Sequence, residues 1–350
     1  MGLLERTIEA VGELDSRAMA AARARQDSLT KPPGSLGVLE ELAVRVAGIT
    51  GQAMPAVADK AIITMAADHG VVAEGVSAWP AEVTLQMVGN FVAGGAAINV
   101  LARHAGARVV VVDMGVATPV QWEGVRNCRV RAGTGNIAVG PAMSRQEAVA
   151  CLEAGIAVAN EQIDGGVGLL GTGDMGIGNT TPSSAILAAL SGFSAERIVG
   201  RGTGIDDTSW QRKVLAVQKA LAVNRPDPWD GIDVLAKVGG LEIGGLAGCI
   251  LGAAARRVPV IIDGFISGAA ALIAARIQPR VRDFMLASHL SVEPGHRVML
   301  DLMGLEPILK MNLRLGEGTG AALAMTLVDA ALKIQREMAT FESAGVSQKS

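Results

Sequence analysis

Tyrosine is absent from the sequence, and only five phenylalanines and four tryptophans occur among 350 residues. The core must therefore be aliphatic, since the 50 % of residues that are hydrophobic are mostly Ala, Val, Leu and Ile. Cysteine is scarce too. Cys128, Cys151 and Cys249 lie far apart, are odd in number and have apolar neighbours, which excludes a disulfide framework and reads as reduced core residues of a cytosolic protein. Neither charge sign dominates: the net charge is −3 and the basic residues are scattered, so neither nucleic acid nor an anionic membrane is an expected partner. A long hydrophobic run is also missing. The longest uncharged stretch, Val83 to Ala102, contains Thr84, Gln86, Asn90, Asn99 and several glycines, too polar for a membrane span of about 20 mostly apolar residues. The N-terminus alternates charged and apolar residues at helical spacing and has no apolar centre, so it does not read as a signal peptide.

What is abundant is glycine, at 44 residues without a fixed period, which implies many tight turns and close backbone approaches. Residues 1 to about 50 read as helical, broken at Lys31-Pro32-Pro33-Gly34, with Ser35 a cap for the helix that follows. From Asp59 the pattern changes. Short apolar runs, Ala61 to Ala66, Val109 to Val112, Val167 to Leu170, Val258 to Ile262 and Phe284 to Ala287, have strand length and alternate with helix-period segments. One such segment opens with a capping box at Ser144 and Glu147. The alternation predicts an α/β fold, a mostly parallel sheet with helices on both faces, and ligands beyond the C-terminal strand ends. Asp68-His69-Gly70, Asp113-Met114-Gly115, Asp174, Asp263-Gly264-Phe265 and Ser288-His289-Leu290 fall at those ends. A last amphipathic helix runs to about Met338, followed by a frayed polar tail from Thr340. The boundaries are an α/β catalytic domain over 58–320 and a small helical subdomain from 1–57 and 321–350, where both ends of the chain meet.

The stretch that organises the site is Leu313-Arg314-Leu315-Gly316-Glu317-Gly318-Thr319-Gly320. A strand-like run, Ile308 to Leu315, delivers a single carboxylate caged by glycines, and a helix from near Ala321 carries the chain away. Glu317 there reads either as a base at the top of a sheet or as a solvated acid beside a helix start. Gly-Thr-Gly recurs at 133–135, 171–173, 202–204 and 318–320. The copy at 171 sits in Gly171-Thr-Gly-Asp-Met-Gly176, between the run Val167 to Leu170 and a helix start at Thr180-Thr181-Pro182. It lacks the acidic strand end that a dinucleotide loop wants about 20 residues on. With Gly200-Arg-Gly-Thr-Gly204 it suits a monophosphate held by backbone amides and helix N-termini. Lys213 reads either as a phosphate cation or as an exposed helix lysine. His289, Glu293 and His296 match no zinc spacing, and Pro294-Gly295 breaks a helix that would align them, so no metal is expected. Asp206-Asp207 reads as a helix cap.

Taken together, LTKPPGSLGVLEELA (29–43), ADHGVVAEGVSAWP (67–80), GNIAVGPAMSR (135–145), GTGDMGIGNTTPSSA (171–185), DPWDGIDVLAKVGG (227–240), PVIIDGFISGAAAL (259–272), SHLSVEPGH (288–296) and RLGEGTGAALAM (314–325) closely resemble one family over nearly the whole chain. This is the nicotinate-nucleotide:dimethylbenzimidazole phosphoribosyltransferases of cobalamin nucleotide-loop assembly. The resemblance implies a Rossmann-like parallel sheet, a cytoplasmic homodimer with its site near the subunit interface, and no cofactor or metal. The implied reaction moves ribose 5-phosphate from nicotinate mononucleotide to 5,6-dimethylbenzimidazole, giving α-ribazole 5′-phosphate and nicotinate. By motif position it implies Glu317 as catalytic base and Asp174 as second acid. It assigns Gly176, Asn179, Thr180, Gly202, Lys213, Gly264 and Ser291 to phosphate and ribose, and Trp79, Met87 and Leu315 to the base.

Two departures stand out. Family members often carry glutamate where this chain has Asp174, and some carry serine and glutamine where it has Trp79 and Met87. The base slot is thus expected to be more apolar, leaving benzimidazole, adenine or a phenolic compound open as the preferred base. Two rival readings remain at this level: a Rossmann NAD-dependent oxidoreductase using Gly171 to Gly176, and a non-catalytic homologue that binds the nucleotide or the benzimidazole.

Overall fold

The computed structural model describes residues 2–202 and 204–347. Six parallel strands form one sheet in the order β3-β2-β1-β4-β5-β6. They are β1 Asp59–Ala67, β2 Arg108–Gly115, β3 Arg126–Asn127, β4 Val167–Met175, β5 Val260–Ile262 and β6 Met285–Ala287. Strand order reverses between β1 and β4, so the crevice beyond their C-terminal ends is where a ligand is expected in such a sheet. β1 shows why both faces must be covered. Ala61, Ile63, Met65 and Ala67 join one buried cluster while Ile62 and Ala66 join the other, so nothing in it alternates with solvent.

On the first face the helices Arg145–Asp164 and Leu241–Ala255 pack together, closely enough that a Cβ on Gly155 would lie 1.8 Å from the Gly245 carbonyl oxygen. The second face carries Val38–Thr50, Ala97–Ala105 and Thr319–Glu337. Near the chain ends, Ser16–Ser28 meets the C-terminal helix through Gln26 and Gln335, and Thr30 donates its N–H to the Ala339 carbonyl at 3.0 Å. The first helix, Leu3–Ala10, packs instead on Leu241–Ala255 across the sheet.

Several local expectations change. The N-terminal helices are also interrupted at 11–15, because Asp15 accepts from the Arg17 and Ala18 N–H groups and starts a new helix. Gly37, not Ser35, is the cap residue of Val38–Thr50, and the Glu40 carboxylate reaches back to the Gly34 and Leu36 N–H groups. Residues 308–315 form no strand. The segment runs beside β6 and the residues after it, joined by the bridge His289↔Leu309, by bonds from Ile308 and Leu309 N–H to the Ala287 and Ser288 carbonyls, and by bonds from Leu290 and Val292 N–H to the Leu309 and Leu313 carbonyls. Pro294 and Gly295 begin a helix, Pro294–Met303, rather than break one. The tail is not frayed throughout: Thr340 caps a short helix, Phe341–Ala344, while 348–350 lie outside the described residues. The stretch Val83–Ala105 is long and apolar enough to cross a membrane by composition. It is divided into helices of 11 and 9 residues, Val83–Ala93 and Ala97–Ala105, each too short to span.

Candidate active site

β4 runs to Met175, so Gly171, Thr172, Gly173 and Asp174 are strand, paired with Ile62 to Met65 of β1. The expected glycine loop therefore shrinks to Gly176–Asn179, ahead of the helix Thr180–Ser191. This removes the dinucleotide-loop reading, in which the first glycine must open the turn between strand and helix. Glycine is needed in β4 for another reason. A Cβ on Gly173 would stand 2.3 Å from the Glu317 carbonyl oxygen, so the strand leaves room for another backbone to lie on it.

That backbone is Gly316-Glu317-Gly318, with φ of +85°, +63° and +99°. Glycine takes such angles without strain, whereas glutamate does so only when its surroundings impose it. Residues of two neighbouring strands and of the turn after a third impose it here. Asp174 accepts the Glu317 N–H on its carbonyl (3.2 Å), Thr64 of β1 donates its hydroxyl to the Glu317 carbonyl (2.9 Å), and Asp263 beyond β5 accepts the Gly318 N–H on Oδ2 (3.2 Å). Oδ1 of Asp263 accepts the Ala321 N–H at 3.0 Å, satisfying a first-turn donor of Thr319–Glu337. The Glu317 side chain is 5 % exposed. Its Oε2 accepts the N–H of Ile98, the second residue of Ala97–Ala105, at 3.2 Å. Among the described residues no hydrogen bond engages Oε1.

The acids crowd one another. Burial raises the Glu317 pKa, only partly offset by the Ile98 N–H. Burial pushes Asp263 up to about 7 against its backbone donors. Asp174 is raised well above the usual carboxylate range, first by burial and then by the charges of Asp263 and Glu242. Its Oδ2 accepts from the Asn179 amide at 3.0 Å, and its buried Oδ1 has no partner among the described residues. Beneath Gly176, His69 Nε2 lies 2.8 Å from Glu242 Oε1 in a buried pair. Burial lowers the His69 pKa, but the Glu242 charge and hydrogen bond outweigh it and leave it raised.

Around these acids is a cavity of about 100 Å³ walled by Asp174, Gly176, Asn179, Thr180, Gly202, Gly264, Ser291 and Leu315. Residues expected to bind phosphate and ribose are thus brought together. Gly316 is in the same wall, while Glu317 lies immediately behind it, facing Ile98. Gly202, Glu293 and Arg314 also wall a larger neighbouring cavity of about 730 Å³. Together they have the scale of a nucleotide site. Lys213 is 1 % exposed, which rules out the exposed helix lysine. Its Nζ donates to Thr180 Oγ1 (2.7 Å) and the Gly200 carbonyl (3.1 Å), and burial lowers its pKa to about 8 although the Glu293 charge raises it. Thr203, in the same loop, lies outside the described residues.

The base residues are not assembled in the same way. Leu315 is in the cavity wall and 55 % exposed; Trp79 is 54 % exposed on a turn before Val83–Ala93, and Met87 packs on that helix's inner side. Burial lowers the pKa of His289 to about 4 and of His296 to about 3. His296 Nδ1 accepts the Ser291 N–H at 2.9 Å. No cluster of three or more His, Cys, Asp or Glu side chains arranged for a metal occurs among the described residues. The cap at Asp206 is present, its carboxylate accepting the Ser209 N–H at 2.8 Å. Sequence reasoning did not nominate Asp263 or Glu293. The first was legible as an acid ending a strand; the second was considered only as a metal ligand.

A family model described as phosphoribosyltransferase matches residues 11–346. Nicotinate-nucleotide–dimethylbenzimidazole phosphoribosyltransferase of Desulforudis audaxviator (strain MP104C) is 60 % identical over 351 residues, covering 99 % of this chain and 99 % of its own length. The protein of that name from Chloroflexus aggregans (strain MD-66 / DSM 9485) is 60 % identical over 351 residues, covering 100 % of this chain and 99 % of its own. The crystal structure of the corresponding Thermus thermophilus protein matches with a TM-score of 0.91 at 48 % identity, covering 96 % of this chain and 100 % of its own.

Proposed function

Because the chain belongs to the nicotinate-nucleotide–dimethylbenzimidazole phosphoribosyltransferase family, we propose that it transfers ribose 5-phosphate from nicotinate mononucleotide to 5,6-dimethylbenzimidazole, with Glu317 as general base. One ring nitrogen of the benzimidazole attacks ribose C1′ as the bond from C1′ to the pyridinium nitrogen breaks, and that bonding pair stays with nicotinate. The proton on the other ring nitrogen passes to Glu317. The products are α-ribazole 5′-phosphate and nicotinate, a step in making the nucleotide loop of cobalamin. Because the leaving pyridinium becomes a neutral ring, it needs no acid. No pyrophosphate departs, so the reaction requires no divalent ion to neutralise one.

The observation that carries this reading is the left-handed turn at Gly316-Glu317-Gly318. It fixes one carboxylate oxygen on the Ile98 N–H and leaves the other unengaged among the described residues. A base tethered at one oxygen keeps its aim while the other accepts a proton, and its raised pKa improves it as an acceptor. The neighbouring Asp174 and Asp263 favour the positive charge that builds on the ribose in the transition state. Thr180, Asn179, Gly176, Lys213 and Ser291 hold the phosphate and ribose. Trp79, Met87 and Leu315 supply the apolar surface for the base.

The three cysteines are free thiols, which supports a reducing, cytoplasmic setting. The test is nicotinate release from mononucleotide and benzimidazole without magnesium. Glu317→Ala is expected to reduce kcat at least about a hundredfold while mononucleotide affinity stays within a few-fold. A near-normal kcat in this variant would remove Glu317 as the base. Absence of turnover in the parent protein would favour the non-catalytic reading.

A further inference from the structure

Glu293 is the residue before the helix Pro294–Met303, yet its side chain makes no cap bond to that helix. It reaches across to the Gly200–Gly204 loop, where Oε1 accepts the Gly202 N–H at 2.8 Å. Its Oε2 is buried and has no partner among the described residues, and the residue is only 6 % exposed. Both cavities of the site have Glu293 in their walls. Glycine at position 200 makes this possible: a Cβ there would stand 2.1 Å from Oε2. Gly200 has no positive φ, so the small residue is required for space rather than for the turn. The charge of Glu293 acts on Lys213, a buried ammonium that the empty protein must otherwise keep without a counter-charge.

We propose that Glu293 is an internal anion that occupies the phosphate subsite of the empty protein and is displaced from it by the phosphate of the incoming nucleotide. This rests on the phosphoribosyl reading above. A phosphate needs the Gly202 amide, which Glu293 Oε1 already occupies, and Lys213, whose Nζ bonds Thr180 and Gly200 and feels Glu293 through its charge alone. The arrangement keeps Lys213 charged in the empty site. It also weakens binding of inorganic phosphate, which has no ribose or ring contacts to offset the displacement, and it drives the product's phosphate off once those contacts loosen.

The test is calorimetric titration at pH 7 and low ionic strength, with inorganic phosphate and nicotinate mononucleotide as separate ligands of the full-length protein. Glu293→Gln can still accept from Gly202 and turns a donor toward the subsite, so it should bind inorganic phosphate about tenfold more tightly. Mononucleotide should tighten in the same direction. Gly200→Ala, which crowds the carboxylate out without removing it, should shift phosphate binding the same way and keeps the test valid if the first variant folds poorly. Lys213→Met should weaken both ligands. Should Lys213→Met weaken them while neither other variant tightens phosphate, Glu293 is no competitor and the inference falls, with the phosphate subsite intact. If Lys213→Met leaves phosphate binding unchanged, the subsite lies elsewhere and the inference falls with it.

Discussion

At the scale of single residues, the site is defined by acids held where they would rather be neutral. Asp174 is the extreme case, with one carboxylate oxygen unpartnered among the described residues and Asp263, Glu242 and Glu317 adding negative charge around it. Its folded-state pKa is raised above the unfolded value. The unfolded chain therefore releases its proton first as pH rises, and the folded protein loses stability until the raised pKa is passed. A cationic pyridinium or a developing ribosyl cation relieves this strain in the complex, which links the instability of the empty site to its use. Asp174→Asn removes the charge and keeps an acceptor for Asn179. Its melting temperature is expected to equal the parent's near pH 4 and exceed it increasingly at higher pH, by about 1–2 °C for each 1 kcal/mol or so of relief in a chain this large. Turnover should fall in the same variant. A difference in melting temperature that stays constant from pH 4 to 8 would show that Asp174 is not a strained carboxyl.

At the scale of elements, β4 and the turn that lies on it are one device. Gly171 faces the C-terminal helix, where a Cβ would meet Met325 Cε at 3.0 Å and Ala321 Cβ at 3.2 Å, and Gly173 makes room for the Glu317 backbone. Gly173→Ala should push the turn away from Thr64 and Asp174. The expected effect is a loss of about 1–3 kcal/mol of stability and, because a shift of about 1 Å at a reacting group is costly, up to about a hundredfold in kcat. Mononucleotide affinity should change far less. A variant with parental kcat would show that the turn is not held by its approach to β4. These two glycines also explain which parts of the fold were legible. The runs of β1, β2, β5 and β6 were visible because β-branched and aliphatic residues dominate them. The second half of β4 was hidden because Gly-Thr-Gly has loop composition, and only the pairing Ile62↔Gly171 to Met65↔Asp174 makes it strand. β3, a two-residue edge strand of Arg126 and Asn127, carries no pattern at all. Residues 308–315 erred in the other direction, since their apolar alternation serves a segment with one bridge to the sheet. Within the site, Glu317 was legible from its glycine cage and Asp174 from its strand-end position. Glu293 was not, because its role depends on a loop 91 residues away in sequence.

At the scale of the whole molecule, the side of the site proposed to take the base is open, with Trp79 and Leu315 in solvent. The helices Val83–Ala93 and Ala97–Ala105 form the most membrane-like stretch among the described residues, yet most of its residues are not buried. Val92 (38 %), Val100 (53 %), Trp79 (54 %) and Trp122 (41 %) leave apolar surface in solvent, and Trp122 leans on the first of these helices at Gly89. A large contiguous apolar patch left in solvent marks an interaction site. The homodimer that the sequence resemblance implies would give it an occupant, a second copy of the chain. This face is one step from the chemistry, because the Ile98 N–H that anchors Glu317 belongs to the same helix as Val100. Burying that helix in a dimer would hold Ile98 still and enclose the side around Trp79 proposed to bind the ring, so association and turnover should fail together. Val100→Glu tests this without touching a buried contact. Analytical ultracentrifugation should show the variant as a folded monomer at concentrations where the parent is a dimer. Nicotinate release should fall with the dimer fraction and recover as protein concentration rises. A variant that sediments like the parent and turns over normally would place the subunit contact on another face and leave the Ala97–Ala105 helix supported by its own chain alone.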